Sequence, residues 1–364
     1  MSCRRPHSPN SQRGMALVVA LLVFAICASL MVALQSDFDI SYRRAANSFV
    51  TEQSWEYLLG AEDLARLVLQ LDHDADLARD GPSRDDLSEI WAQARDPYPL
   101  DDGAWMSGEL EDLQGRFNLN NLAEQPGDGE GVSRYSLQQR AFIRLLQALE
   151  TVQIDQIEAI TIMESIADWV DPDDEPRLNG AESSYYVSLT PSYRPSNRAM
   201  LSISELRAVA NVRSDVYRAL RPLVTVWPQA GSLINLHTAR VPVLRALNGD
   251  DSLQPLSLDD GLALERQRLE LGFADKQDFL DSPVLANASP EAIAGLITES
   301  SSFFLLRSLV EFADRQQRLY SVMQRQDRQI NVLQRSNVGL IDSLMDATYN
   351  RPTDGPGPLT ETLR

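Results

Sequence analysis

The sequence predicts an α+β fold with three parts: a long N-terminal helix that begins in a membrane, a small antiparallel sheet on which this helix packs, and a large all-helical insertion. Three observations support the expectation. Residues 15–34 are uniformly apolar, and apolar residues continue at helical spacing, without a proline, to about Leu71. Segments of alternating apolar and polar residues, near 108–120 and 302–326, enclose a long stretch of helical pattern.

The apolar run 15–34 fits a single membrane-spanning helix. It contains no charged residue and no proline. Twenty helical residues rise roughly 30 Å, which matches the hydrocarbon core of a bilayer. Three arginines precede the run, the last of them Arg13, and the acidic Asp37 and Asp39 follow it. The positive-inside rule therefore places the short N-terminus in the cytoplasm and the rest of the chain outside it.

Three kinds of targeting segment compete for this stretch. A cleaved secretory signal would have a shorter apolar run and a small-x-small cleavage site after it. A lipoprotein signal would end at Cys27, but the bulky Ile26 precedes that cysteine. A class III signal is cleaved after a glycine on the cytoplasmic side and keeps its apolar helix, and Gly14 followed by Met15 fits this pattern. An anchor of an unrelated external protein is the remaining alternative.

The segment after the anchor predicts the parts of the external domain. Gly115 lies between two short alternating stretches, which indicates two strands joined by a turn. A Gly- and acid-rich linker at 125–133 precedes a helical pattern over 137–168. The predicted division is leader 1–14, transmembrane helix 15–34, long helix and first strands 35–122, inserted helical domain with an acidic loop 123–300, closing strands 301–326, and polar C-terminal tail 327–364.

The composition limits the classes of function. The 364 residues carry a net charge of −19, which repels phosphate, so no nucleic acid is expected as a partner of the whole protein. The two cysteines, Cys3 and Cys27, lie in the leader and the anchor, so no disulfide framework is expected outside the membrane. The three histidines form no paired metal ligands and no catalytic set. We therefore expect a protein that is not an enzyme; a hydrolase without a recognisable motif is the alternative.

The stretch from Asp168 to Glu175 contains five carboxylates among eight residues. Carboxylates at this density repel one another unless they are solvated or share a cation, and calcium, which takes about six to eight oxygen ligands, suits them. Pro172 and Gly180 supply bends that can turn several oxygens inward. The spacing is not that of an EF-hand. A calcium site and a solvated acidic loop are both open at this point.

Short motifs along most of the chain resemble, in their order, the general secretion pathway protein K family, the minor pseudopilins of type II secretion systems. Most pilin-like subunits carry a glutamate where this chain has Val19. The protein K family also lacks this glutamate. The motifs are Gly14-Met15 at the leader, Gly115 to Asn120, Ala167 to Asp171, Ser204 to Arg207 and Ile234 to Ala239.

The resemblance implies a pilin-like fold and a structural role. The protein would lie at the tip of a type II secretion pseudopilus and nucleate its assembly for protein export across the outer membrane. Its partners would be other minor pseudopilins, of I and J type, and the prepilin peptidase would process it. It would be a single-pass protein of the bacterial inner membrane with its C-terminal domain in the periplasm.

The resemblance also implies calcium in the acidic loop, because the family binds Ca2+ in this region. We predict Asp171, Asp173 and Glu182 as side-chain ligands, with Asp168 and Asp174 as further candidates.

A rival function rests on the segment 231–247. It is similar to segments of SAM-like or helix-hairpin-helix domains, some of which bind DNA, so a membrane-anchored protein that binds DNA or a surface ligand is the alternative. Asn235 and Thr238 are expected to cap the helix that follows. Because the neighbourhood is acidic, we interpret the segment as a helical packing unit in which His237 is a loop residue.

Cleavage after Gly14 is directly testable. Protein recovered from membranes should begin at Met15 in cells that contain the prepilin peptidase and should keep its leader in cells that lack it. Intact mass and N-terminal sequencing distinguish the two forms. A chain that begins at Met1 in both cells, or one cut beyond Leu34, would contradict a class III signal.

Overall fold

The structure is a computed structural model, and a stretch at each end of the chain lies outside the residues that it describes. Residues 1–11 of the predicted leader and 338–364 of the predicted tail are such stretches. The described residues are 12–79, 83–93, 95–100, 103–124, 127, 129, 131–249, 252–286, 288, 290–312 and 315–337.

Helices and strands occupy most of the described residues. The helices are α1 (Gln12–Ala78), α2 (Leu137–Gln147), α3 (Gln156–Val170), α4 (Ser183–Val187), α5 (Ser214–Leu220), α6 (Val241–Arg245), α7 (Leu258–Glu270), α8 (Lys276–Leu280) and α9 (Pro290–Ala294). The strands are β1 (Tyr98–Pro99), β2 (Trp105–Asp112), β3 (Phe117–Asn118), β4 (Val224–Thr225), β5 (Ile234–Asn235), β6 (Ile297–Thr298), β7 (Phe303–Phe312), β8 (Arg315–Gln326) and β9 (Gln329–Ser336).

The helix α1 is one continuous element of 67 residues. Its most apolar 18-residue window has a mean hydropathy of 3.0 and is entirely exposed, so the start of the helix is long and apolar enough to cross a membrane. The prediction of a helix that continues beyond the apolar run is confirmed, and the helix extends past Leu71 to Ala78.

The second half of α1 packs on one face of a five-stranded antiparallel sheet with the order β1-β2-β7-β8-β9. Leu69 joins Phe304 and Leu306 in one buried cluster. Leu58 joins Val310 in another, further toward the membrane end. The predicted arrangement of a long helix on an antiparallel sheet is thereby confirmed.

The insertion is a helical unit with its own hydrophobic core. The predicted helical run over 137–168 is confirmed as two helices, α2 and α3, and the rings of Phe117 and Phe142 meet at 5.1 Å inside the core. Two pairs of short parallel strands bind distant parts of the unit together: β3 with β4, and β5 with β6. The strand β3 lies where the chain enters the unit and β6 where the chain leaves it.

The two strands predicted on either side of Gly115 are confirmed as β2 and β3, with a turn between them, but they do not pair with each other. The strand β2 ends at Asp112, and β3 pairs in parallel with β4 rather than turning back on β2. A side chain at Gly115 would place its Cβ 3.0 Å from the backbone carbonyl of Thr238. The glycine therefore permits a close approach of two backbones at the entrance of the insertion, and the chain leaves the sheet before the predicted boundary at residue 122.

Part of the predicted tail is the edge strand β9. A tight turn at Asp327, which has a φ of 52°, joins it to β8. Ile330 and Val332 pack in the cluster beneath α1, whereas Asn331 between them and the residues 334–336 after them are polar and at least partly exposed. These polar residues explain why the segment resembled a tail.

The edge strand β9 is fastened to α1 through a buried carboxylate. Glu62 is 1% exposed and accepts hydrogen bonds from Arg335 Nε (2.7 Å) and Nη2 (2.8 Å), and from Ser321 Oγ (2.9 Å). Burial acts to raise the pKa of Glu62, but the hydrogen bonds from Arg335 and Ser321 outweigh it, so the pKa lies below its usual value.

The contact between Arg335 and Glu62 should matter more for stability than an exposed pair does. Arg335→Gln leaves a buried carboxylate with fewer donors, and we expect a loss of about 1–2 kcal/mol in the free energy of unfolding. The matched control is Arg328→Gln, which removes an exposed pair with Asp74 and should cost under about 0.5 kcal/mol. Denaturant titration of the detergent-solubilised full chain measures both values, and equal losses would refute the anchoring role.

Candidate metal centre

The acidic loop is held between two helices. Asp171 is the residue that ends α3, and Glu182 immediately precedes α4. The rings of Trp169 and Tyr186, one from each helix, meet edge to face at 5.3 Å behind the loop. Because both ends of the loop are anchored in the core, its carboxylates have fixed positions.

Three of the five predicted ligands come together. Asp171, Asp173 and Glu182 each offer a carboxylate oxygen, and these oxygens lie within 4.8 Å of one another. Asp171 is 0% and Glu182 1% exposed, whereas Asp173 is partly exposed and opens the group to solvent. These three residues form an open pocket, here called the cup. The buried Asp171 and Glu182 are its floor, and the partly exposed Asp173 is its rim.

The floor of the cup has oxygens that accept no hydrogen bond. Both side-chain oxygens of Glu182 and the Oδ1 atom of Asp171 are buried without a donor. Glu182 also makes no side-chain cap to α4. Buried carboxylate oxygens without partners are costly, and a hard divalent cation is the partner that oxygens of this kind accept. The residues present therefore fit calcium.

Burial and the neighbouring Asp168 and Asp171 raise the pKa of Glu182 to about 8. The neighbouring negative charges disfavour the ionised form of Glu182 at neutral pH. A cation in the cup would reverse the effect, because it replaces a proton on Glu182.

Asp168 and Asp174 lie outside the group of three. Asp168 is 0% exposed and accepts hydrogen bonds from Arg177 Nη1 (2.7 Å) and from the Arg177 backbone N–H (3.1 Å). A Cβ at Gly180 would lie 1.9 Å from Asp168 Oδ2, so the loop packs tightly on this carboxylate. Asp174 is exposed and accepts a hydrogen bond from the Ser183 backbone N–H at 3.2 Å. Their role as ligands stays a prediction.

Two contacts of the site were not predicted from the sequence. Arg177 donates to Asp171 Oδ2 at 2.5 Å as well as to Asp168, so an internal cation already balances part of the negative charge. Asn197, in a left-handed backbone conformation with φ 42°, donates its side-chain amide to the Asp173 carbonyl at 2.5 Å. An arginine within an acidic run is a visible signal, whereas the contact of Asn197 depends on the fold.

The processing residues lie at the start of α1. Gly14 is helical, and Met15 is helical and 71% exposed. Cleavage between them stays a prediction.

The segment proposed for DNA or ligand binding is mostly buried. Asn235 and His237 are 0% and 3% exposed, and the apolar residues around them belong to the core of the insertion. The predicted cap is also wrong: α6 begins after Arg240 without a side-chain cap, and Asn235 instead donates to Asp112 Oδ2 at 3.0 Å. Arg240 is the one exposed basic residue of this segment, and Glu111 lies 3.8 Å from it.

Calcium binding should depend on pH through Glu182. Because the proton on Glu182 must leave, calcium affinity should fall below about pH 8, by at most about tenfold per pH unit. Glu182→Gln should weaken binding by about tenfold or more and remove most of this pH dependence. Glu175→Gln is the matched control, because Glu175 is an exposed carboxylate of the same loop that is not a predicted ligand, and it should change affinity little. Calorimetric calcium titrations of the full chain between pH 6.5 and 8.5 measure this, and an unchanged affinity of the glutamine variant would contradict the assignment.

Residues 115–229, which include the entrance of the insertion and the acidic loop, match the family described as type II secretion system (T2SS), protein K.

Similarity to individual proteins extends over nearly the whole chain. It is 32% identical to type II secretion system protein K of Aeromonas hydrophila over 343 residues, which covers 93% of this chain and 99% of that protein. It is 34% identical to the protein of the same name from Pseudomonas aeruginosa, over 90% of this chain and 93% of that protein.

A solved structure agrees in sequence and fold. A chain of the GspK-GspI-GspJ complex from the enterotoxigenic Escherichia coli type 2 secretion system superposes with a TM-score of 0.67. The two are 26% identical, and the match covers 80% of this chain and 98% of that one. Together with the relatives above, this confirms the resemblance found in the sequence: the chain belongs to the type II secretion system protein K family.

Proposed function

We propose that the protein is a minor pseudopilin that caps the tip of a type II secretion pseudopilus and nucleates its assembly, together with I- and J-type minor pseudopilins, for protein export across the outer membrane. Its role is structural, and no reaction is assigned to it. The similarity to a chain of a GspK-GspI-GspJ complex supports these partners.

The observation that carries the proposal is an apolar stripe on the outer side of α1. Leu64, Leu67 and Leu71 are 52%, 49% and 48% exposed and follow one another at helical spacing. They face away from the sheet-bound residues Leu58 and Leu69, which are 1% and 0% exposed. A leucine stripe on an exposed helix face is the surface that a second helix covers.

The stripe has room for close helix packing. Gly60 lies one turn before Leu64 on the same face, and the position of a Cβ there has no neighbour within 4 Å. A partner with the same architecture would bring its own long helix to this face, because both helices leave the membrane in parallel. We therefore expect the interface to form by packing of the partner's long helix against the outer face of α1.

Two features support a position at the tip. Val19 is 53% exposed in the apolar part of α1, and an uncharged side chain there needs no partner amine from a subunit above it. Arg84, just after α1, donates to the Phe273 carbonyl of the insertion at 3.1 Å. The insertion therefore lies beyond the end of α1 that is remote from the membrane, where it would obstruct a further subunit.

We further infer that calcium binds in the cup formed by Asp171, Asp173 and Glu182, and that the external domain lies in the periplasm. Three buried oxygens without donors support the first inference. The arginines before the anchor and the aspartates after it support the second. The cation would brace the acidic loop against the helices α3 and α4.

The outer stripe of α1 provides the test. The double substitution Leu64→Glu and Leu67→Glu should lower the yield of a complex with co-expressed I- and J-type pseudopilins by about tenfold or more, because it places two charges in an apolar contact. Leu271→Glu is the matched control, since Leu271 is 84% exposed but lies in the insertion. Affinity purification followed by native mass spectrometry gives the stoichiometry. Full assembly by the stripe variant would refute the proposed interface, and salt-dependent DNA binding by the purified chain would favour the rival function.

A further inference from the structure

A buried polar joint connects the insertion to α1 and the sheet. Arg325 of β8, which is 7% exposed, lies at its centre. Its Nη1 atom donates to Asp72 of α1 at 2.8 Å, and its Nη2 atom donates to both oxygens of Asp85 at 2.5 and 2.6 Å. The Nη2 atom also donates to the Ser301 carbonyl at 2.8 Å. One guanidinium therefore links α1, the loop after it, and the segment through which the chain leaves the insertion.

Asp112 completes the joint at the entrance of the insertion. Its Oδ2 atom accepts hydrogen bonds from Ser301 Oγ (2.7 Å), Asn235 Nδ2 (3.0 Å) and Thr238 Oγ1 (2.5 Å). The Ser301 backbone N–H donates to Asp85 Oδ2 at 2.7 Å, and the Asp85 N–H donates to the Glu299 carbonyl at 3.0 Å. The entrance and the exit of the insertion thus meet on two carboxylates.

The joint contains more negative than positive charge. Two carboxylates at its margin have their own arginines: Asp76 pairs with Arg79, and Asp86 pairs with Arg84 at 2.8 Å. His237 of the insertion lies near Asp86 and Arg84, and burial lowers its pKa to about 4, so it adds no positive charge. The carboxylates that remain around Arg325 are Asp72, Asp85, Glu89 and Asp112.

The single positive charge of Arg325 cannot neutralise these four carboxylates. Oxygens of Asp72, Asp85 and Glu89 lie within 4.8 Å of one another, and the additional Arg79 approaches Glu89 only to 3.5 Å. Burial, together with Glu89, raises the pKa of Asp72 to about 7, and burial raises that of Asp85 to about 7. Buried like charges at this distance resist simultaneous ionisation, so the joint retains a proton near neutral pH.

We propose that this joint is a proton-operated latch, in which a proton shared by Asp72 and Asp85 holds the insertion firmly on α1 and the sheet, and loss of the proton to solvent loosens it. Below neutral pH the carboxylates share Arg325 without repulsion. As pH rises through about 7, the second charge forms, and the repulsion between Asp72 and Asp85 favours opened states in which Asp85 moves away from α1 and its contacts with Ser301 and Glu299 are lost. The rigidity of the tip would then respond to the pH of its compartment.

Hydrogen exchange tests the latch. The full chain in detergent micelles, with a chelator that keeps metal from the acidic loop, is measured by mass spectrometry between pH 6 and 8.5, after correction for the intrinsic exchange rate. The amides of Asp85 and Ser301 should lose about tenfold or more of their protection across this range. Asp85→Asn and Asp72→Asn should each flatten the dependence, since each removes one of the competing charges.

Asp74→Asn is the matched control on the same helix, because Asp74 is exposed and pairs with Arg328 away from the joint. It should keep the wild-type slope. The proposal is overturned if protection in the wild type does not change with pH, or if both joint variants keep the wild-type slope. It is also overturned if added calcium alone restores protection at pH 8.5, because the joint would then respond to a cation rather than a proton.

Discussion

The contact between α1 and the sheet determines the rest of the structure. A helix of 67 residues is roughly 100 Å long and passes through two environments. Its first part is apolar on all sides, as lipid requires, and its second part is apolar toward the sheet. Along that buried side, two charged contacts interrupt the apolar packing: Glu62 with Arg335, and Asp72 with Arg325. Sliding the helix by one turn would separate Glu62 from Arg335 and Asp72 from Arg325, and would leave Glu62 only its pair with Arg66 of the same helix. The charged pairs therefore fix the register, while the apolar contacts supply most of the stability.

Much of this fold was predictable because its signals are local. The apolar run, the helical spacing to Leu71 and the helical pattern over 137–168 each lie within one continuous stretch of sequence. The pairing of the strand after Gly115 was not predictable, for the opposite reason. The pattern showed that Phe117 and Asn118 are strand-like, but their partners, Val224 and Thr225, lie on the far side of the insertion. The strand β9 was missed because most of its residues are polar, and Ile330 and Val332, which pack beneath α1, are too few to indicate a strand.

In the candidate site, too, local signals in the sequence were predictive, whereas contacts that depend on the fold were not. Carboxylate density pointed to the right loop, and the structure gathers Asp171, Asp173 and Glu182. Sequence alone could not separate them from Asp168, because the difference depends on the fold: both oxygens of Asp168 accept hydrogen bonds from Arg177, whereas the Oδ1 atom of Asp171 has no donor. Asn235 is a similar case. An asparagine before a helix is usually a cap, yet here the residue reaches Asp112 at the entrance of the insertion. Local sequence patterns do not reveal buried polar contacts between segments that are distant in the chain.

The position of the insertion has a consequence for the order of folding. Asp112, at the end of β2, pairs directly with Phe304 near the start of β7, although nearly the whole insertion lies between them in the chain. Closing a loop of that length as a disordered chain is entropically unfavourable, and contacts so distant in sequence form slowly. In the folded insertion, β5 pairs with β6 at the exit and the Asn235 N–H donates to the Gln114 carbonyl at the entrance at 2.8 Å, so the two ends come together and the effective loop is shorter. The helical unit therefore acts as a template on which the central strands of the sheet find each other, and the anchored helix gains its packing surface last.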